Sequence, residues 1–295
     1  MSSDDFPSSV AHLIQYDHPL DSYLWLGIGG PARYFAEPTS RKELIDLVSA
    51  AYQKGIQVRI LGGGSNLLVR ESGFDGLVIS LTAAELGKLS VEGDELTAGA
   101  GAKLSHAVTH AVGAGLSGLE SLLGVPGTVG GAVVCNASAG GHDIGSVIQA
   151  IEVLAVDGTT EWITAEQAQF SHRRSGLRGR LILAVRFKLK ATDITTLTKR
   201  MQKMWIVRNA KIPQGRWQVV QPFVDPDGAT VQRLIGDIGL AGITEGGAFL
   251  SPEQPSLLTV NPKATSDDCL KLIARIREQV MLQTGIDLQT NLQIW

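Results

Sequence analysis

The chain has 295 residues, 44% of them hydrophobic, with a formal net charge of -3; this is material for a real core shared by two or three subdomains, and it leaves no electrostatic footprint for nucleic acid or an anionic membrane surface. Two cysteines, Cys135 and Cys269, are too few for a disulfide framework and fit a reducing compartment. The acidic start Met1-Ser2-Ser3-Asp4-Asp5 is unlike a signal peptide and no apolar run is long enough to span a bilayer, so a cytoplasmic protein is expected.

Residues 1–21 are polar, lack periodicity and read as a loose arm. Gly27-Ile28-Gly29-Gly30-Pro31-Ala32 has the glycines of a dinucleotide fingerprint, but that fingerprint opens a long helix. The following residues 33–38 read as extended chain closed by Pro38, so a Rossmann site is not expected there. Residues 40–55 read as a helix: Ser40 and Glu43 have capping-box spacing, and Leu44, Val48 and Ala51 share a face. Gly55 then supplies the left-handed position beyond its end. A strand at Val58-Arg59-Ile60-Leu61 runs into the glycine loop Gly62-Gly63-Gly64-Ser65-Asn66, and apolar stretches at 67–69 and 77–79 complete a small α/β unit.

A second unit starts near Leu89, with a strand around Leu96-Thr97-Ala98 and a helix over 102–114 that aligns Leu104, Val108 and Ala111. His106 and His110 on that helix have metal-ligand spacing, but no third ligand accompanies them and an ordinary helix face is expected. The second glycine loop follows at Gly124-Val125-Pro126-Gly127-Thr128-Val129-Gly130-Gly131, with Cys135 beyond it as a packed small residue. Residues 151–156 read as a strand entering an Asp157-Gly158 hairpin turn, and 181–187 as another strand. Between them Phe170-Ser171-His172-Arg173-Arg174-Ser175 crowds an imidazole and two guanidiniums into one loop. Past Lys190 the texture changes to alternating helices and short strands. Residues 265–283 form the clearest late helix, with Thr265 or Ser266 as cap, Asp267 and Asp268 in the first turn, Cys269 packed behind them and Gly285 past the end.

Glycines in series let successive backbone N–H groups converge on one point without Cβ interference, which makes a nest for a phosphate or pyrophosphate. Two such loops in one domain point to a diphosphate-bearing cofactor held from both sides.

Taken together, the motifs resemble the FAD-dependent UDP-N-acetylenolpyruvoylglucosamine reductase (UDP-N-acetylmuramate dehydrogenase) family of peptidoglycan precursor synthesis. The matching stretches are residues 27–32, 61–69, 115–120, 124–137, 170–175, 239–242, 246–248 and 285–295, in family order from about Ser22 onward. The length fits the shorter of the family's two forms. The resemblance implies an α+β chain with a two-subdomain FAD-binding domain of the vanillyl-alcohol-oxidase type over 22–190, divided into 22–82 and 83–190. A C-terminal α+β substrate-binding subdomain would take 191–295. It places the FAD pyrophosphate on the two glycine loops, with Gly62, Gly63, Gly64, Ser65, Asn66, Gly124, Pro126, Gly127, Thr128, Gly130, Gly131 and Asn136 as the cofactor-binding residues. The flavin would be non-covalent, since the first loop carries neither His nor Cys. NADPH would be the hydride donor and a nucleotide sugar the substrate, with no nucleic-acid or membrane partner, in a monomer.

The same resemblance implies a catalytic set of Arg173, His172, Gln221 and Asn291, of which only Arg173 matches the family residue. His172 replaces a Tyr, Gln221 stands at the position of the acid Ser, and Asn291 takes the place of a Glu. Around Phe223 and Pro226, which are kept, Val224 and Asp225 replace a Lys and an Asn. Ser251 is kept, whereas Glu253, Gln254 and Ser256 replace a Lys, a His and an Asn. A Gln amide donates no proton at neutral pH, and Asp225 sets a negative charge where the family Asn meets a diphosphate. Three readings stay open: the family reductase with His172 or a water supplying the proton, a flavoprotein for a less anionic substrate, and a non-catalytic FAD-binding homologue.

Overall fold

The computed structural model describes residues 6–155, 157–177, 179–209 and 219–295. The chain folds into two compact units, each assembled from separate segments. The first takes the chain up to Asp17, then Arg33–Gly63 and Asp75–Arg208; the second takes His18–Ala32, Gly64–Phe74 and Asn209–Trp295. These units do not follow the divisions near 82 and 190 expected from the sequence.

In the first unit the N-terminal segment is ordered, which corrects the loose arm expected over 1–21 for the residues described. Phe6, Val10 and Ile14, four apart, lie in the core around helix α1 (Ser8–Ala11). The strand Gln15–His18 continues into the edge of a four-stranded sheet ordered Gln15–His18, Ala32–Ala36, Phe74–Ser80, Val58–Leu61. The strand at 32–36 is where a dinucleotide fingerprint would need a helix, so the glycines at 27–30 open no Rossmann turn. Helix α2 (Arg41–Gln53) buries Leu44, Leu47, Val48 and Ala51. Its capping box is half formed: Ser40 Oγ accepts from Glu43 N at 3.3 Å, but the Glu43 carboxylate accepts from Thr39 N (2.7 Å) and Thr39 Oγ1 (2.9 Å). Gly55 takes the expected left-handed conformation at φ +67°.

A five-stranded antiparallel sheet follows, ordered Thr160–Thr164, Ile148–Leu154, Leu181–Lys188, Glu95–Gly99, Leu89–Glu92. The Asp157-Gly158 turn links its first two strands, with Val156 outside the described residues. Three helices complete the unit: α3 (Leu104–Gly113), the short α4 (Val129–Val134) and α5 (Ile194–Asn209). Leu77 and Ile79 of the first sheet share one hydrophobic cluster with Leu96, Ile151, Val185 and Phe187 of the second, so the core runs unbroken past Thr82. Met201 of α5 packs against that same cluster, which carries the unit beyond Lys190.

The second unit is built on α6 (Val231–Asp237), a three-stranded antiparallel sheet (Thr244–Glu245, Ala248–Leu250, Leu258–Val260) and α7 (Ser266–Thr284). Helix α7 buries Cys269, Leu272, Ile273, Ile276 and Val280 in a cluster with Phe223, Leu250, Leu258 and Leu288. Burial pushes the Cys269 thiol up to about 12, with the charges of Asp268 and Glu71 adding to it, so it is packing material and no nucleophile. The C-terminal strand Gln293–Ile294 lies parallel to Leu67–Leu68. Among the described residues no helix is long and apolar enough to cross a membrane.

The start of α7 yields a pH prediction. Thr265 Oγ1 accepts from Asp268 N (3.2 Å), and Asp268 Oδ2 accepts from Thr265 N (3.0 Å) and Gly247 N (3.1 Å). The Gly247 and Thr265 bonds hold the Asp268 carboxyl below its ordinary value. A carboxyl depressed in the folded state stabilises fully above its unfolded value, and that contribution is lost as pH falls through the folded value. Denaturant melts are expected to show Asp268→Asn less stable than the parent at neutral pH, with the gap closing below about pH 4. A gap that persists unchanged in acid would contradict this role.

Candidate active site

In the first unit the two glycine loops meet face to face. A Cβ built on Gly63 would sit 2.7 Å from Gly127 Cα, and one on Gly62 would sit 2.7 Å from Thr128 Oγ1. Only glycine allows main chain to approach main chain this closely. The second loop is held in place by its ends: Leu104 N donates to Gly127 O (3.0 Å) and Val129 N to Ala102 O (2.8 Å). Among the described residues the amides of Gly62, Gly63, Gly127 and Thr128 donate to no other protein group. This is a cradle that side chains would fill, lined by available donors, and it fits a diphosphate.

Gly130 and Gly131, expected among the pyrophosphate binders, do other work. Helix α4 begins immediately after Thr128, and Gly130 N donates to Ala100 O (2.9 Å) while Gly131 N donates to the capping Thr128 Oγ1 (3.3 Å). Gly130 is glycine because a Cβ there would sit 3.0 Å from Ala100 Cβ. Asn136 is likewise engaged inside the protein: Nδ2 donates to Ser171 O (2.8 Å) and Oδ1 accepts from Gly145 N (3.0 Å). Gly124 adopts φ +79° with the aliphatic part of Arg208 against it, a Cβ there standing 3.0 Å from Arg208 Cδ. Pro126 lies between Gly124 and Gly127 on the same loop.

The loop that carries His172 and Arg173 is a closed turn. Ser171 N donates to Arg174 O (2.9 Å) and Arg174 N to Ser171 O (3.1 Å), with Arg173 in the left-handed region at φ +56°. His172 is exposed and Arg173 half-buried. Sequence reasoning missed Arg208, because an arginine in the last turn of a helix reads as an ordinary favourable end charge. Here burial, followed by the charge of Arg173, pulls the Arg208 pKa below its usual value. Two guanidiniums that repel one another raise the local positive potential, which favours a nearby anion.

In the second unit the structure brings Gln221 and Asn291 together. Asn291 Nδ2 donates to Gln221 O (3.1 Å) and Asn291 N to Pro222 O (2.8 Å). Asn66, expected on the cofactor, donates from Nδ2 to Asn291 O (2.9 Å), and its own carbonyl accepts from Gln293 N (3.0 Å). Gly64 is left-handed at φ +61°, and its carbonyl accepts from Trp25 N (3.0 Å). Ser65 follows it, half-buried. Asp225 Oδ1 accepts from Val231 N (2.8 Å), the first amide of α6, whose N-cap is Thr230, so this carboxylate sits at the positive end of the helix.

A family model described as FAD binding domain matches residues 32–164, and one described as UDP-N-acetylenolpyruvoylglucosamine reductase, C-terminal domain, matches residues 213–295. The UDP-N-acetylenolpyruvoylglucosamine reductase of Rhodopirellula baltica is 51% identical over 290 residues, 98% of this chain and 95% of that one. The chain belongs to the UDP-N-acetylenolpyruvoylglucosamine reductase family. The reductase of Lactobacillus delbrueckii subsp. bulgaricus is 35% identical over 95% of each chain. The crystal structure of the Thermus caldophilus reductase matches with a TM-score of 0.82 at 32% identity, covering 96% of this chain and 99% of that one. A solvent-stable cholesterol oxidase shares the fold, with a TM-score of 0.51 at 17% identity over 65% of this chain and 40% of its own. The α+β class, with an FAD-binding domain followed by the C-terminal domain of the reductase family, is therefore established. So is FAD as the cofactor of the family to which this chain belongs.

Proposed function

We propose that this chain reduces UDP-N-acetylenolpyruvoylglucosamine to UDP-N-acetylmuramate with NADPH, holding FAD non-covalently and acting as a cytoplasmic monomer. The observation that carries this reading is the 51% identity to a reductase along almost the entire chain, through both domains. The amides of Gly62, Gly63, Gly127 and Thr128 would hold the flavin diphosphate. FAD held there would, once reduced by NADPH, supply the hydride that the enolpyruvyl ether takes up. Negative charge would then develop on the enolpyruvyl carboxylate, and Arg173 would be the cation that meets it. Gln221 and Asn291 are neutral amides that orient substrate or water without themselves giving up a proton. The proton that C2 requires would come from the imidazole of His172, next to Arg173 in the chain, or from a bound water.

Asp225 argued for a less anionic substrate in the sequence. Its carboxylate is occupied at the α6 N-terminus, which supports the nucleotide-sugar reading over that alternative. Arg208 gives a further expectation. Arg208→Gln removes a repelled guanidinium, so the cofactor-free protein should melt at or above the parent temperature. The stabilisation gained on adding FAD or the enolpyruvyl nucleotide should fall by about 1.5–3 kcal/mol, the worth of hydrogen bonds to a charged group. An unchanged ligand-induced shift would remove Arg208 from the anion site.

The test of the function is direct. Purified protein should be yellow, and NADPH oxidation should accelerate only when the enolpyruvyl nucleotide is present. Flavin-loaded protein whose NADPH oxidation ignores that nucleotide would overturn the reading.

A further inference from the structure

Helix α4 is only six residues long, yet it joins two functional features. Its N-cap Thr128 belongs to the glycine cradle, and its C-terminal end holds the turn that carries Arg173. Two hydrogen bonds make the second connection, one on each side of the turn. Asn136 Nδ2 donates to Ser171 O (2.8 Å), and Ser175 Oγ donates to Val134 O (2.8 Å). Asn136 is 2% exposed and takes φ +42°, a conformation that asparagine tolerates better than most residues. Its Oδ1 is fixed from the other side by Gly145 N (3.0 Å), against which the Phe170 ring packs so closely that a Cβ on Gly145 would stand 2.7 Å from Phe170 Cγ. One planar amide thus donates to the turn and accepts from the neighbouring loop, and no other short side chain offers both functions with that reach.

We propose that Asn136 is a positioning residue for Arg173: its amide fixes the Ser171–Arg174 turn to the end of α4 and so sets the guanidinium relative to the glycine cradle. Asn136 itself touches neither cofactor nor substrate. The inference rests on Arg173 acting on the enolpyruvyl substrate as proposed above. It differs from the sequence-based expectation, which put Asn136 among the cofactor contacts.

The test uses the full-length flavin-loaded protein. Asn136→Asp keeps the Oδ1 acceptor and the left-handed tolerance but sets an oxygen against Ser171 O; Asn136→Gly keeps the backbone conformation and deletes the amide. Both variants are expected to retain FAD within about twofold and to be reduced by NADPH within about threefold of the parent, because the cradle is untouched. Their reoxidation by the enolpyruvyl nucleotide should slow by about 10²-fold, the effect of displacing a group by an ångström. Combined with Arg173→Ala, Asn136→Asp should cost nothing further beyond about threefold, since the two act as one unit. Loss of FAD together with equal slowing of both half-reactions, or a multiplicative double variant, would show a merely structural role and overturn the proposal. Limited trypsin digestion separates this inference from the function it rests on. Cleavage after Arg173 or Arg174 should quicken by tenfold or more in Asn136→Asp, with cleavage elsewhere unchanged, whether or not the parent turns over the nucleotide. Unchanged cleavage at that turn would overturn the positioning role by itself.

Discussion

Gly63→Val is expected to purify with little or no flavin while remaining folded. The first side-chain carbon at position 63 would stand 2.7 Å from Gly127 Cα, and the obstacle is main chain that cannot rotate aside. Gly127 is pinned in turn, because its carbonyl accepts from Leu104 N at 3.0 Å and the next residue caps α4. The loops must therefore separate, and amides that converge on one point then diverge. Overpacking of this kind costs about 1–3 kcal/mol, and each charge-assisted bond lost to a phosphate costs about another 1.5–3. FAD affinity should fall by about 10²–10⁴-fold, with each 1.4 kcal/mol counting as tenfold. Gly62→Ala should be milder, because its obstacle is the Thr128 hydroxyl at 2.7 Å, a group that can turn at the cost of the α4 cap. Flavin content per mole of protein and fluorescence titration with FAD read both effects. Wild-type flavin content in Gly63→Val would refute the cradle.

Arg173→Ala carries the second large effect. Removing a charge preorganised toward a developing oxyanion costs about 10²–10³-fold in rate. The loss should appear in flavin reoxidation by the enolpyruvyl nucleotide and leave reduction by NADPH within a few-fold. Arg173→Lys should recover only part of it, since a point charge lacks the planar fork that matches a carboxylate. The left-handed φ of +56° supplies a control that separates rate from stability. Alanine keeps the strain of this conformation and glycine relieves it, so Arg173→Gly should be the more stable variant by about 0.5–1 kcal/mol yet equally slow. Equal slowing of both half-reactions in Arg173→Ala would place Arg173 outside the chemistry of the substrate.

Helices α2 and α7 were legible in the sequence because their signals are local: an apolar face at helical spacing, a cap before it and a left-handed glycine after it. The glycine loops were legible for a similar reason, since serial glycine reports a backbone need. The residues around Phe6, Val10 and Ile14 were not, because three apolar side chains in polar surroundings gain meaning only from the sheet they pack on. Nor could the sequence distinguish Gly127 from Gly130. Both are glycines of one loop, but the amide of Gly130 is taken by Ala100 O, a partner brought from a different segment. Asn136, Asp225 and Arg208 illustrate the same limit. A polar residue near a motif reads as a ligand contact until its hydrogen-bond partners are known, and those partners are distant in sequence.

The main-chain amides of Gly62, Gly63 and Gly127 are the ones expected to meet the flavin phosphates. Apoprotein carrying isotopically labelled glycine can be titrated with FAD, and with riboflavin as a phosphate-free control, while the glycine amide resonances are followed. Gly62, Gly63 and Gly127 should shift together with FAD and not with riboflavin, while Gly130 and Gly131, already hydrogen-bonded within the protein, stay in place. Shifts confined to Gly130 and Gly131, or the same shifts with riboflavin, would contradict the account.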